Sequence, residues 1–342
     1  MKLLSPSVGV APRRNWINRP FIFTATFAAL SMALVVASLT PTASRAAEDP
    51  ISDDIVVTML GTSAPRVSTV RFGPSTLVQA GGLNLLFDAG RGAATRLTQL
   101  GVSLGNIEGI FITHFHSDHL NGFADVWMTG YLGPHGGRST PLNVYGPPGI
   151  TQITDGLLAA YLPDRAIRGS GGLVVNEGTL IETHEYSADG VVFEQDGVRV
   201  TAFEVNHGEL IKPSYGYRID YAGRSVVLSG DTKYNQNVIN YGRGVDLLIH
   251  EVDVTNDPAL QNIRDNHTSP EEAGQIFTET APKMAAYSHI LRLGGPEYPP
   301  PGLDELAART RETYNGPLTI GEDLLRFHIG DQVTVIPLFT EY

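Results

Sequence analysis

The chain has 342 residues, enough for one large domain or two small ones, and its 42% hydrophobic content is that of an ordinary globular protein. It contains no cysteine, which excludes disulfides and thiolate metal sites, so any metal must be held by nitrogen and oxygen. The formal net charge is −12, but residues 1–46 carry five basic side chains and no acidic one, leaving 19 basic against 36 acidic residues beyond them. A body that acidic repels phosphate backbones unless a local basic patch overrides it.

The basic excess opens the chain. APRRNWINRP precedes an apolar run from Phe21 to Thr40, followed by the small residues of TASRAAEDP. That order predicts an export signal over 1–46, cleaved around Ala46 or Ala47, ahead of a single domain over 47–342. The run of about 20 residues is long enough to act instead as an uncleaved anchor. Arg13-Arg14 also resembles a twin-arginine signal. Either way the body is expected to be periplasmic or secreted, with no stable membrane insertion once the signal is removed.

Strands and helices then alternate. IVVTML (55–60) is a β-branched apolar run, and STLVQA and LNLLFD flank Gly81-Gly82 as a hairpin. GRGAATRLTQLG has helical spacing and a closing glycine. IEGIFIT (107–113) is a short buried strand. From Tyr131 to about Arg199 the chain is rich in Gly and Pro, with one helix over GITQITDGLLAAYL. VRVTAFEV, GYRIDY and SVVLSGD form a second strand set, and VDLLIHEV and KMAAYSHI are further strands. Between those two, Ser269-Pro270-Glu271-Glu272 starts a helix with a capping serine, a proline at the first position and a glutamate three residues on. The pattern of strands plus helices appears twice, which implies two packed sheets with helices outside.

The chemistry is concentrated in Thr113-His114-Phe115-His116-Ser117-Asp118-His119, on the loop leaving a strand. Three imidazoles and a carboxylate this close supply what a borderline-soft divalent cation requires. His114 and His116 can point at one ion, while Asp118 and His119 reach a second position. Further ligands must come from later strand ends: His207 in Asn206-His207-Gly208, Asp231 in Gly230-Asp231-Thr232, and His289 after KMAAYS. Taken singly, each of these reads as a polar strand cap or turn residue.

In that order HFHSDH, NHG, SGDT and SHI resemble the ligand series of the metallo-β-lactamase superfamily, over about residues 55–292. The resemblance implies an αββα sandwich of two mixed sheets flanked by helices. It implies two zinc ions per chain, one held by His114, His116 and His207, the other by Asp118, His119 and His289, with Asp231 bridging. A bridging hydroxide would be the nucleophile. Gly61-Thr62-Ser63-Ala64-Pro65, Tyr145-Gly146-Pro147-Pro148-Gly149, Ser214-Tyr215-Gly216-Tyr217, His250-Glu251 and His267-Thr268-Ser269 are similar to the ribonuclease Z branch and its relatives, the metal-dependent arylsulfatases among them. In that branch the histidine matching His267 supplies or orients a proton for the leaving group, which makes His267, with Asp118, a candidate catalytic residue. His250 reads as a buried structural histidine; His135, His184 and His328 lack supporting context.

The sequence departs from ribonuclease Z in its arm. Residues 131–205 contain four arginines against nine carboxylates, a balance that opposes RNA. Phe123, Trp127 and Tyr131 recur four apart on the helix after HFHSDH, either as core packing or as an aromatic wall beside the metals. The resulting expectation is an exported di-zinc hydrolase of a small-molecule ester, with an aryl sulfate as substrate and nucleic acid not expected as a partner. A homodimer is compatible with it. The alternatives are a ribonuclease Z-like phosphodiesterase, a lactonase or a β-lactamase. A non-catalytic metal-binding protein would have lost ligands, and a di-iron oxidoreductase would come with a flavin-binding domain; neither feature is in the sequence.

Overall fold

The computed structural model describes residues 52–337, so the export segment assigned to 1–46 lies outside the described residues. The apolar run IVVTMLG forms β1 (Ile55–Gly61), antiparallel to β2 (Ser75–Ala80). β2 turns into β3 (Leu83–Phe87) through Gly81 and Gly82 at φ 59° and 79°, the positive angles that a tight hairpin needs. β4 (Gly109–Phe111), β5 (Leu142–Gly146) and β6 (Ile181–Glu185) extend this sheet in parallel. The second sheet starts with antiparallel β7 (Gly190–Gln195), β8 (Val198–Val205), β9 (Ser214–Tyr221) and β10 (Arg224–Leu228). It continues in parallel with β11 (Leu247–Asp253), β12 (Met284–Leu291) and β13 (Leu318–Ile320). β14 (Arg326–Ile329) and β15 (Val333–Ile336) return to the first sheet beside β1. Strand orders are β15-β14-β1-β2-β3-β4-β5-β6 and β13-β12-β11-β10-β9-β8-β7. Both sheets are therefore mixed, as expected.

Nine helices lie among the described residues: α1 (Ala93–Gln99), α2 (Ser117–Leu120), α3 (Phe123–Gly130), α4 (Ile150–Ala160), α5 (Leu162–Ser170), α6 (Gln236–Gly242), α7 (Gln261–Arg264), α8 (Pro270–Thr280) and α9 (Leu303–Thr310). Three apolar layers hold the architecture together. Val57, Phe87, Phe111, Tyr217 and Ile249 pack between the sheets. Leu97, Trp127 and Ile150 seal α1, α3 and α4 onto the first sheet, and Ile239, Phe277 and Leu306 seal α6, α8 and α9 onto the second. The result is the αββα sandwich.

The aromatic stripe on α3 resolves to core. Phe123, Trp127 and Tyr131 are each 1% exposed or less, and Trp127 Nε1 donates to Thr179 O at 3.2 Å. They form no wall beside the ligands. The Gly/Pro-rich segment holds more structure than its sequence indicates: β5, β6, β7 and α5. β6 and β7 are edge strands with half-exposed residues, so no clean alternation marks them.

Trp127→Ala should lower unfolding stability in urea by about 3–5 kcal/mol, the usual cost of deleting a fully buried aromatic ring. Ser269→Ala should cost only about 1 kcal/mol. It removes one half of a capping box in which Glu272 N donates to Ser269 Oγ and Ser269 N to Glu272 Oε2.

Candidate metal centre

The ligand candidates sit beyond the carboxyl ends of strands, except His289, which lies inside β12 two residues before its end. β4 ends at Phe111 and delivers His114 and His116, and the short helix α2 carries Asp118 and His119. β8 ends two residues before His207, and β10 three residues before Asp231. Gly230 adopts φ 61°, and a Cβ there would lie 2.5 Å from Tyr215 O, so only glycine lets the chain turn Asp231 inward. His289 is placed by a bulge. The β11–β12 register slips between His250 and Val252, and His289 takes φ 43°. The extra residue re-aims a side chain that a regular ladder would direct elsewhere.

All seven predicted ligand residues converge. His114, His116, His207 and Asp231 offer donor atoms within 4.8 Å of one another, as do Asp118, His119 and His289. Asp231 joins the groups: its Oδ2 lies 3.9 Å from His114 Nε2, 3.4 Å from His119 Nε2, 3.7 Å from His207 Nε2 and 3.2 Å from His289 Nε2. His207 Nε2 faces His116 Nδ1 at 3.2 Å. His114 Nε2 and His119 Nε2 are buried without hydrogen-bond partners among the described residues. Buried imidazole lone pairs turned toward one another and toward two carboxylates are what a cation requires. The donor set fits divalent metal.

The electrostatics agree. Burial drives His114 well below the usual imidazole range and His207 down to about 4, leaving both rings neutral and able to ligate. Burial opposes charge on Asp231 too, but His289 and His119 beside it outweigh burial and hold the carboxyl well below its usual range. On His119 burial is likewise overcome by Asp231 and Asp88, which raise it well above 6.5. Negative charge is concentrated here.

A second layer orients the first, and part of it escapes sequence reasoning. Asp88, one residue beyond β3 at φ 55°, accepts from His119 Nδ1 at 2.7 Å and from Thr113 Oγ1 at 2.9 Å. Thr113 Oγ1 is 3.0 Å from His114 Nδ1. One carboxylate thus fixes two ligand rings, directly and through a hydroxyl. The signal was a lone aspartate closing the strand LNLLFD. His207 Nδ1 donates to Asn266 O at 2.9 Å.

His267 lies between the two ligand groups, its ring 4.8 Å from His207 and 5.8 Å from His289 by centroids. Its Nδ1 donates to Glu251 Oε1 at 3.0 Å, the oxygen that also accepts from Thr232 N and Thr268 N. Burial disfavours charge on His267, yet Glu251, with Asp231 and Asp253, raises it to about 9. Cations in the cluster would act against that rise. Among the other histidines, His250 is fully buried with Nδ1 donating to Glu251 O at 2.7 Å. His184 stacks on Tyr145, and His328 pairs with Asp54 at 2.9 Å.

Comparison with known proteins decides the ancestry. A family described as Beta-lactamase superfamily domain matches residues 83–290. A ribonuclease Z of Mycobacterium marinum is 32% identical over 283 residues, covering 80% of this chain and 99% of the relative. The chain belongs to the metallo-β-lactamase superfamily, in its ribonuclease Z branch. A second relative, ribonuclease Z of Mycolicibacterium gilvum, is 32% identical over 289 residues, covering 83% and 99%. Human tRNase Z, short form, shares the fold with a TM-score of 0.59 at 22% identity over 80% of this chain and 99% of its own. A metallo-β-lactamase fold protein from Bacillus subtilis gives 0.61 at 19% over 80% and 99%.

Membership of this branch, with a buried His/Asp cluster, makes the chain a metal-dependent hydrolase. It also corrects two expectations. The aryl sulfate reading is overturned, since the relatives are ribonucleases along nearly their whole length, and the aromatic wall supporting it is core. The exclusion of nucleic acid as a partner falls with it. That exclusion summed the charge of 131–205, which does not fix the field at other faces of the chain, and at least three of its nine carboxylates are held by neighbours within the segment. Asp164 binds Tyr131 and Arg168, Glu185 accepts from Gly149 N and Thr151 N, and Glu194 pairs with Arg199.

Asp88→Ala should weaken metal affinity about 10–100-fold without unfolding the protein, read by competition with a chromophoric chelator. Acid sensitivity has a separate source in His250. Burial lowers it from 6.5 to about 4, so between those values the unfolded chain binds more protons, and stability declines as pH falls through that window. In unfolding curves of the metal-free protein at pH 7 and pH 5, His250→Gln should lose less stability than the parent.

Proposed function

We infer that this chain is a di-zinc phosphodiesterase that cleaves RNA. One ion would be held by His114, His116 and His207, the other by Asp118, His119 and His289. The single observation that carries the reading is the Asp231 carboxylate, one oxygen of which lies 3.2–3.9 Å from four imidazole nitrogens, two from each group of candidate ligands. Bound there, divalent cations supply Lewis acidity toward phosphoryl oxygens and lower the pKa of water toward neutrality.

The chain's own groups do the rest. Asp88 and Thr113 fix the ring orientation of His119 and His114, so the site is preorganised rather than assembled by substrate. Glu251 occupies Nδ1 of His267 and thereby presents Nε2 to the space between the ligand groups. From there the imidazole, which Glu251 favours in its protonated form, can deliver a proton to the oxygen that leaves phosphorus. RNA as the substrate rests on the ribonuclease relatives. We also propose that residues 1–46 export the chain, from their basic, apolar, small-residue order; the substrate would then be RNA met outside the cytoplasm.

The test uses the mature chain from residue 47, with metal content by mass spectrometry and hydrolysis of bis(4-nitrophenyl) phosphate and of a 3′-extended RNA hairpin. About two zincs per chain and cleavage of both substrates are expected. His116→Ala should lose metal and activity together. His267→Ala should keep its metal while kcat falls by roughly 10²–10⁴. A metal-loaded protein that cleaves neither substrate would overturn the reading.

A further inference from the structure

One cavity next to the cluster has a charge opposite to that of the chain around it. It measures about 510 Å³ and lies between the loop after β1 and the loop after β12, with Arg66, Ser68, Arg71, Ile290 and Arg292 in its lining. Among the described residues no carboxylate lines it, although acidic residues outnumber basic ones by 36 to 24 in the chain. The arginine ion pairs among the described residues involve Arg96, Arg168, Arg199, Arg218, Arg224 and Arg309 instead. Its lining reaches the residue after a ligand candidate: Ile290 follows His289, and its N–H donates to Thr62 O at 3.1 Å.

Two of the three guanidiniums are held by backbone. Arg71 Nη1 donates to Thr62 Oγ1 at 2.7 Å and Gly321 O at 2.6 Å, and Arg292 Nε donates to Pro301 O at 2.7 Å. These bonds fix the stems and leave the other N–H groups of each fork for another acceptor. Burial lowers the pKa of Arg71; Asp323 and then Glu322 oppose the lowering, and the positive charge of Arg292 adds the smallest contribution to it. Three guanidiniums lining one partly enclosed space attract an anion into it. Arginine forks match phosphate oxygens two at a time, and Val67, 70% exposed at the same cavity, offers apolar surface to a sugar or base.

We propose that this cavity is a phosphate subsite, in which Arg66 and Arg292 bind a backbone phosphate neighbouring the one that is cleaved. The assignment rests on the phosphodiesterase reading for the position of the cleaved bond. It supplies the local basic patch that an acidic chain needs to hold RNA.

The test is binding of a fluorescein-labelled six-nucleotide RNA by the metal-loaded mature protein, in the His267→Ala background, followed by anisotropy at several salt concentrations. Arg66 is exposed, so Arg66→Glu leaves the fold intact. Arg66→Glu and Arg292→Gln should each weaken binding about tenfold or more, the worth of one charge-assisted contact. Each should also make the log–log salt slope shallower by about 0.7. Arg199→Glu, a charge reversal at the start of β8, serves as the control. Equal weakening by the control, or an unchanged slope in the cavity variants, would overturn the subsite. In the parent background, loss of kcat/KM on the RNA should exceed by about tenfold the loss on bis(4-nitrophenyl) phosphate, which has only one phosphate. If the parent cleaves neither substrate but the cavity variants still lose RNA binding, the subsite stands and the phosphodiesterase reading falls.

Discussion

Four imidazole nitrogens converge on one oxygen of Asp231, and the rest of the architecture answers to that crowding. Removing such groups from water without a counter-charge is costly. The fold holds them there through a second layer: Asp88 behind His119 and Thr113, Glu251 behind His267, and Asn266 O behind His207. Backbone strain marks the same places. Asp88 and His289 both sit at positive φ, a conformation that persists for such residues only where surrounding bonds over-determine it.

The sheets supply the geometry for this convergence. Each is antiparallel on one side and parallel on the other. Parallel strands all point their carboxyl ends the same way, so β4 and β12, one from each sheet, bring their following or terminal residues to one rim. Tyr217 ties the sheets beneath that rim: its hydroxyl donates to Ile112 O at 2.6 Å, two residues before His114, and Tyr186 reaches the same hydroxyl. A shift of one sheet against the other would move the ligand groups apart, which is why the apolar layer between the sheets matters to chemistry as well as to stability.

Much of this was legible in the sequence because the strongest signals were local. HFHSDH places four potential donors on one loop, Gly81-Gly82 dictates a hairpin, and Ser269-Pro270-Glu271-Glu272 dictates a helix start. What escaped was non-local or averaged. Asp88 is a single carboxylate whose meaning depends on residues 25 to 31 positions away. The edge strands β6 and β7 lack alternation because their faces are only partly covered. The aromatic spacing on α3 is helical in either reading, and only burial separates core from pocket. The substrate was misread for a related reason: a segment's net charge says little about the field at one cavity.

An oxygen-and-nitrogen donor set has a consequence beyond the site itself. Without a thiolate, the cluster has no soft ligand with which to favour one borderline cation strongly over another, and affinities for first-row metals then follow their common order. Donors drawn from both sheets, from His114 to His289, also cannot gather before the sandwich has closed. The identity of the resident ion is therefore settled by what is available wherever the polypeptide completes its folding.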